Sequence, residues 1–312
     1  MRVFNAGLVA ITMLCAAPPV VGAEGNERYV YVTVLGSDGA PLDGLTTEHF
    51  AIREGGQDRS VVRAERLDIP MHVAVLVDTS GHQGVPDEAF RTAVTQFVAR
   101  LAASHQVSLY SFGDRAALVQ AYTQDAPRLR SAVDGMFGAT EQRSQLIDAV
   151  DRALRDLSGV QSKRPVIVAI TSESPEASGR TAGGVIRRMV DQSVAFHVIS
   201  VASATGSQGA ARVSNDIPSS SRRLGGIVSA GEGDRERTQM VEQGTAVTGG
   251  GRQRVTSSLA LGPALTRISS ELAQSYLVVF TRPGGGKVRD LQVGVMVDDV
   301  TVRATAAPHG TR

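Results

Sequence analysis

Asp78 and Ser80 are the residues of this chain whose types and position are best suited to chemistry. They come directly after a continuous apolar run, residues 73–77, and helix-forming sequence begins a few residues later. An apolar run of this length, bounded by turn residues, is typical of a strand buried on both faces of a parallel sheet. Open α/β sheets bind their ligands at the carboxyl ends of such strands. The sequence therefore predicts a binding site that contains Asp78 and Ser80.

Ser80 is also a candidate nucleophile, which would make the protein a hydrolase. The Gly-x-Ser-x-Gly turn that exposes the nucleophile of an α/β-hydrolase is not present, because Asp78 and Thr79 precede Ser80. No sequence motif links a histidine to this serine. The residues therefore favour a protein that is not an enzyme, and an exported serine hydrolase is kept as the alternative.

The composition limits the class of ligand. Aromatic residues make up 4% of the 312 residues and Trp is absent, which argues against a stacking pocket for sugars or single-stranded nucleic acid. The formal net charge of +1 gives no electrostatic reason to expect nucleic acid or an anionic membrane. The run Gly249-Gly250-Gly251 does not lead from a strand into a helix with phosphate-binding spacing, so we expect a turn there.

Residues 1–23 have the features of a secretory signal peptide. Arg2 precedes a mostly apolar stretch, and Val21-Gly22-Ala23 has the small residues of a cleavage site. The only cysteine, Cys15, lies in this segment, so the mature chain is expected to have no disulfide and no thiolate ligand. No later stretch has the length and apolarity of a transmembrane helix. We therefore expect an exported protein, periplasmic or secreted, whose mature chain has no membrane span.

Residues 72–202 alternate apolar strands with helical segments, which predicts βαβ units. The expected fold class is α/β with a doubly wound, mostly parallel sheet. Residues 24–70 and 275–312 favour short strands that lack partners of their own. We expect these two segments to pair with each other, so that the α/β domain, residues 71–274, is inserted in a small β domain.

Two connections in this arrangement have distinctive sequences. Residues 205–237 are rich in Ser, Gly and Arg and have no hydrophobic period, which predicts a mobile loop. Near the end of the chain, residues 291–297 and 300–304 flank Asp298-Asp299, and this spacing predicts a hairpin.

The central region resembles the von Willebrand factor type A domain. That family begins its metal-ion-dependent adhesion site with Asp-x-Ser-x-Ser, and the chain has Asp78-Thr79-Ser80-Gly81-His82 at this point. The mature chain as a whole is similar to a group of bacterial exported proteins with a related type A domain. The segments that carry this wider similarity are Val32-Thr33-Val34, Gly39-Ala40-Pro41-Leu42, Leu45-Thr46-Thr47-Glu48-His49-Phe50, Thr248-Gly249-Gly250, Ile268-Ser269-Ser270-Glu271-Leu272 and Ser275-Tyr276-Leu277-Val278.

The resemblance implies a degenerate metal site built from three loops. By position, the candidate ligands are Asp78, Ser80 and Ser144, with His82, Ser172 and Glu173 nearby. Thr140 is an alternative to Ser144. Because Ser172 replaces the family's second carboxylate and His82 its second serine, the resemblance implies three alternatives. These are weak binding of Mg²⁺ or Ca²⁺, a His-containing site for Zn²⁺ or Mn²⁺, or no metal.

Purely structural roles are open for three residues of interest. Asp78 is also suited to accept backbone N–H groups in the turn that follows its strand. Ser144 is also suited to the N-cap of the helix that follows. His197 lies in an apolar strand, and we expect a hydrogen-bonded core residue rather than a ligand.

Residues and resemblance together predict an exported, non-enzymatic protein-interaction module for adhesion or assembly. A protein partner is expected to bind at the degenerate site, near Asp78, Ser80 and Ser144. A serine hydrolase that uses Ser80 and a purely structural component of the cell envelope are the alternatives.

Overall fold

The computed structural model of the protein describes residues 27–80, 88–138, 143–202, 230–282 and 290–307. The predicted signal peptide, His82 and Thr140 lie outside these ranges. The same is true of residues 203–229, which form most of the segment predicted to be a mobile loop.

A six-stranded sheet lies at the centre of the described residues, with the order β10-β9-β8-β5-β6-β7. Its strands are β5 (His72–Asp78), β6 (Gln106–Phe112), β7 (Ala116–Thr123), β8 (Pro165–Thr171), β9 (Ala195–Val201) and β10 (Arg252–Val255). Neighbouring strands are parallel except for the β6–β7 pair. From β5 the chain adds β6 on one side and later β8 on the other. The point between β5 and β8 is therefore the topological switch point, where open α/β sheets bind ligands.

Helices cover both faces of this sheet. They are α1 (Glu88–Ala102), α2 (Ala126–Gly135), α3 (Leu146–Gly159), α4 (Ala182–Asp191), α5 (Ala230–Thr248) and α6 (Leu261–Ala273). One core cluster joins α1, α2 and α6 to one face, and a second joins α3, α4 and α5 to the other. The central strands β5 and β8 are almost continuous apolar runs because both of their faces are buried. The predicted doubly wound, mostly parallel α/β sheet is confirmed.

The two ends of the described chain form a second, smaller unit. One sheet has the order β13-β1-β11-β4, and a three-stranded sheet has the order β12-β2-β3. The strands are β1 (Glu27–Leu35), β2 (Phe50–Glu54), β3 (Gln57–Arg59), β4 (Val61–Arg66), β11 (Tyr276–Thr281), β12 (Leu291–Val295) and β13 (Thr301–Ala306). Because β1 pairs antiparallel with both β11 and β13, the predicted pairing of the N- and C-terminal segments is confirmed.

Buried polar contacts join this β unit to the central sheet. The hydroxyl of Tyr31 in β1 donates to the carbonyl of Lys163, just before β8, at 2.8 Å. The Arg164 guanidinium donates to the carbonyl of Leu272 at 2.6 Å and to the hydroxyl of Ser275 at 2.8 Å. Burial lowers the pKa of Arg164 to about 10. The two units are therefore held together by specific hydrogen bonds as well as by chain connections.

Two expectations about connections were wrong. The strands around Asp298-Asp299 do not form a hairpin, because β12 pairs with β2 and β13 pairs with β1. Residues 230–237 do not belong to a loop, because they form the first two turns of α5. Among the described helices, none has both the length and the apolar character needed to cross a membrane.

Candidate functional site

Asp78, the last residue of β5, lies at the switch point with a carboxylate that is only 1% exposed. Oδ1 accepts hydrogen bonds from both the N–H (2.9 Å) and the hydroxyl of Ser80. Oδ2 accepts from the N–H and the hydroxyl of Ser172, each at 2.9 Å, and from the hydroxyl of Thr171 at 3.2 Å. The carboxylate thus fastens the loop after β5 to the loop after β8.

Ser144 brings a third loop to the same carboxylate. Its hydroxyl lies 3.3 Å from Oδ2 of Asp78, and the residue is fully buried. The backbone of Ser144 bonds to the loop after β8, because its N–H donates to Pro175 (2.8 Å) and its carbonyl accepts from Ala177 (2.7 Å). The N-cap role considered for Ser144 was wrong, since Gln145 is the N-cap of α3. The structure thus brings Asp78, Ser80 and Ser144 together with Ser172, as the order of the loops predicts.

Glu173 does not join this cluster. Its side chain points outward and forms an ion pair with Arg254 of β10. Strand alternation does not explain the difference, because the successive residues Thr171 and Ser172 both donate to Asp78. Glu173 lies beyond the end of β8, and its ion pair with Arg254 holds its side chain away from the cluster.

Arg237 of α5 contacts the site and was not identified from the sequence. Its guanidinium donates to the hydroxyl of Thr171 at 2.7 Å and to the carbonyls of Ser172 and Ser174, the latter at 2.9 Å. Thr171 in turn donates to Asp78. A positive charge therefore lies one hydroxyl away from the buried carboxylate.

Glu176 is a second buried carboxyl group near the site, 4% exposed. Oε1 accepts from the N–H of Ser178 at 3.0 Å, while Oε2 has no hydrogen-bond partner among the described residues. Burial, the largest effect, raises the pKa of Glu176, and the nearby Arg237 charge opposes that rise. Helix α5 lies close against the backbone of Glu176, since a Cβ atom at Gly233 would collide with the Glu176 carbonyl oxygen. Glycine at this position permits the contact.

The described donor set at Asp78 does not fit Mg²⁺ or Ca²⁺. Mg²⁺ and Ca²⁺ need several oxygen lone pairs that point at the ion, usually with more than one carboxylate. Here a single carboxylate has both oxygens engaged by hydroxyl and N–H donors, and a guanidinium lies beside it. The described residues contain no group of three or more His, Cys, Asp or Glu side chains placed to hold a metal.

Ser80 does not have the surroundings of a nucleophile. It is fully buried, and its hydroxyl proton is donated to Asp78. The histidines of the described ranges, His49, His72, His105 and His197, all bond to groups other than Ser80. No described histidine is therefore placed to act as the base of a serine hydrolase.

His197 is the hydrogen-bonded core residue that the sequence predicts. It is 4% exposed, and its Nδ1 accepts from the N–H of Gly251 at 3.1 Å. Burial first, and then the charges of Arg303 and Arg164, lower the pKa of His197 to about 3. The ring is therefore neutral at neutral pH and stabilises the contact between β9 and the glycine run.

Comparison with known proteins adds information on the fold only. No protein-family model and no curated protein matches the chain. Among solved structures, the VWA domain of SpRpn10 is 15% identical, with a TM-score of 0.40, over 64% of this chain and 94% of that one. BatB from Bacteroides thetaiotaomicron, described as a conserved hypothetical protein, is 16% identical (TM-score 0.44), over 65% and 98%. A von Willebrand factor type A protein from Catenulispora acidiphila is 8% identical (TM-score 0.44), over 91% and 74%.

These likenesses are low, and the fold is defined by the strand order of the chain itself. The central unit is a doubly wound α/β domain with an antiparallel edge strand, β7, and a polar cluster at its switch point. It has a von Willebrand type A-like fold, as the sequence resemblance implies.

Proposed function

We propose that the protein is a non-enzymatic protein-interaction module for adhesion or assembly. Its partner is a protein that docks on the rim, which we define as residues 78–80, 143–145 and 172–180. The observation that carries this proposal is the Asp78 carboxylate, which accepts hydrogen bonds from all three segments of the rim. A rim held in one conformation before binding loses little entropy when a partner docks.

The groups that contact the partner surround Asp78, and Asp78 itself does not contact the partner. Asp78, Ser80, Ser144 and Ser172 are buried and bonded to one another. The rim exposes Glu173, Pro175 and Arg180, and Ser174 is half-buried. Docking therefore uses shape and these outer polar groups, and the buried cluster positions them.

We propose that docking does not require a metal ion. In a metal-dependent adhesion site the cation supplies both the positive charge next to the carboxylate and the open position for the partner. In this chain Arg237 supplies a fixed positive charge through Thr171. The chelator EDTA should therefore leave binding of the partner unchanged.

We also propose that the protein acts after export from a bacterial cell. The support for export is the signal-peptide pattern of residues 1–23. Fractionation of cells that express the full chain tests this proposal directly. Recovery of a shortened chain outside the cytoplasm supports export, and a full-length chain that stays in the cytoplasm contradicts it.

Site-specific crosslinking tests the docking face. A photoreactive amino acid is placed at Ser174 on the rim, or at Ser37 in the exposed turn of the β unit as a matched control, in full chains expressed in the source organism. A discrete adduct from the Ser174 chain only, retained in EDTA and lost after Asp78→Ala, supports the proposal. An equal adduct from the Ser37 chain, or one that requires Mg²⁺, contradicts it.

A further inference from the structure

A pocket of about 350 Å³ lies beside the rim and is lined by four arginines and two carboxylates. We call it the arginine pocket. Its arginines come from different elements: Arg115 precedes β7, Arg152 and Arg155 lie on α3, and Arg180 precedes α4. A volume of this size is within the range of pockets that hold small ligands.

Asp151 forms ion pairs that hold part of this pocket in place. Its side chain is only 3% exposed and pairs with Arg155 and with Arg188 of α4. The Nε atom of Arg180 lies 3.7 Å from the same carboxylate. One buried carboxylate therefore holds three guanidinium groups in place, which reduces the entropy that a ligand would have to overcome.

The remaining acidic group of the pocket, Asp148, forms no ion pair with the other arginines of the pocket. The oxygens of Asp148 accept from the backbone N–H groups of Gly179 (2.9 Å) and Arg180 (3.1 Å). Arg152 donates to the carbonyl of Ala116 at 3.3 Å. Neither Arg152 nor Arg115 forms an ion pair with a carboxylate of the described residues. The pocket thus presents positive charge that the described residues leave unpaired.

We propose that the arginine pocket binds an oxyanion, a carboxylate or a phosphate group. The planar guanidinium fork donates two parallel hydrogen bonds to either group, and such charge-assisted bonds are about twice as strong as neutral ones. The pocket adjoins the rim, because three residues of the rim also line the pocket. These residues are Gln145, Gly179 and Arg180. The inference deepens the proposed function, since it assigns acidic chemistry to the ligand that docks there.

Calorimetry with defined probes tests this binding without any partner protein. The probes are inorganic phosphate, a hexapeptide of alternating Glu and Ser, and the same peptide with Gln in place of Glu. The full chain is compared with Arg115→Gln, Arg152→Gln and the double variant. Arg63→Gln is the matched control, because it removes the same charge from an exposed position on β4. Melting curves confirm that each variant is folded. Because Arg115 is exposed, its replacement should leave the stability of the fold almost unchanged.

The expected result is that an acidic probe binds, that binding weakens about tenfold for each arginine removed, and that salt weakens it further. Binding of the Glu peptide assigns the site to acidic side chains of a protein. Binding of phosphate alone assigns it to a small anion. Failure of both acidic probes, or binding that is equal in the double variant, overturns the proposal. Either failure leaves the crosslinking test of the rim unaffected.

Discussion

The hydroxyl of Ser172 donates to Oδ2 of Asp78 at 2.9 Å, at the position where the type A resemblance implies a second carboxylate. A serine at this point turns a potential pair of like charges into a hydrogen bond. The described residues thus surround the Asp78 carboxylate with hydrogen-bond donors rather than with a second acidic group.

Ser172→Asp should make the stability of the protein depend on a metal ion. Two carboxylates in contact repel each other, and a divalent cation between them relieves that repulsion. We expect the variant in EDTA to lose about 2 kcal/mol of unfolding free energy and Mg²⁺ to restore part of it. Thermal denaturation with and without Mg²⁺ measures both effects. Ser172→Asn, which adds no charge, should show no response to Mg²⁺, and the prediction fails if the two variants respond alike.

The sequence predicted the residues around Asp78 better than those on the helix above them. Long apolar runs mark β5 and β8 as buried parallel strands, so the loops that follow them must meet at one edge of the sheet. This reasoning located Asp78 and Ser80 from local pattern alone, whereas Ser172 was aligned only through the sequence resemblance. Ser144 required the sequence resemblance, because nothing in its local sequence separates a ligand from a helix cap.

The start of α5 and its Arg237 could not be predicted in the same way. Residues 230–237 contain two glycines and no large apolar residue, so they show no helical period. Contacts with distant parts of the chain favour the helix here, among them Gly233 against Glu176 and Glu236 at the N–H of Ala182. Helices of this kind depend on tertiary packing, which propensity does not capture.

The failed hairpin has the same physical origin. Asp299 does adopt a left-handed conformation (φ 55°), as a tight turn requires. The two strands nevertheless leave the turn toward different sheets, because β1 and β2 offer longer-range partners. The sequence of the turn alone does not show which distant strands compete for β12 and β13.

Glu176→Gln should stabilise the protein at neutral pH. Because the pKa of Glu176 is raised in the folded state, its contribution to stability is fully present below the ordinary value of 4.5. That contribution is lost as the pH rises through the raised pKa, when a buried charge with an unpartnered oxygen must form. Gln keeps the acceptor for Ser178 and removes the charge, although the attraction to Arg237 is also lost.

Urea denaturation of the Glu176→Gln variant from pH 4 to pH 8 tests whether the variant is more stable than the original protein. We expect a gain of about 1 kcal/mol at pH 7 that shrinks toward pH 4. Glu232→Gln, an exposed change on α5, should show no such trend. A loss of stability at pH 7 would mean that the pairing with Arg237 outweighs the cost of burial.

Gly250→Ala should destabilise the contact between β9 and the glycine run that follows α5. A Cβ atom at Gly250 would overlap the carbonyl of Phe196 in β9, so the backbone must shift. Overpacking of this kind typically costs about 1–3 kcal/mol, and a collision with backbone places the change at the upper end. Gly159→Ala at the end of α3 is the control, because a Cβ atom there meets nothing within 4 Å. Equal unfolding free energies for the two variants would show that the close approach is not real.

Arg237→Gln should loosen α5 from the rim without unfolding the central sheet. The guanidinium bonds the end of β8 through Thr171, Ser172 and Ser174, and Gln cannot span all three acceptors. A hydrogen bond that involves a charged group contributes about 1.5–3 kcal/mol to stability. We expect faster amide hydrogen exchange in residues 171–176 and 230–237, with strands β5 and β6 unchanged.

Arg235→Gln is the matched control for this change. Arg235 lies two residues earlier on α5, carries the same charge and is exposed. If exchange accelerates equally in both variants, the effect comes from the charge of the helix and not from its contact with the rim. If Arg237→Gln alone accelerates exchange and also weakens the Ser174 crosslink, Arg237 is a positioning residue of the docking face. In that case a side chain from α5 holds in place the loops that Asp78 joins, and the rim depends on an arginine in place of an ion.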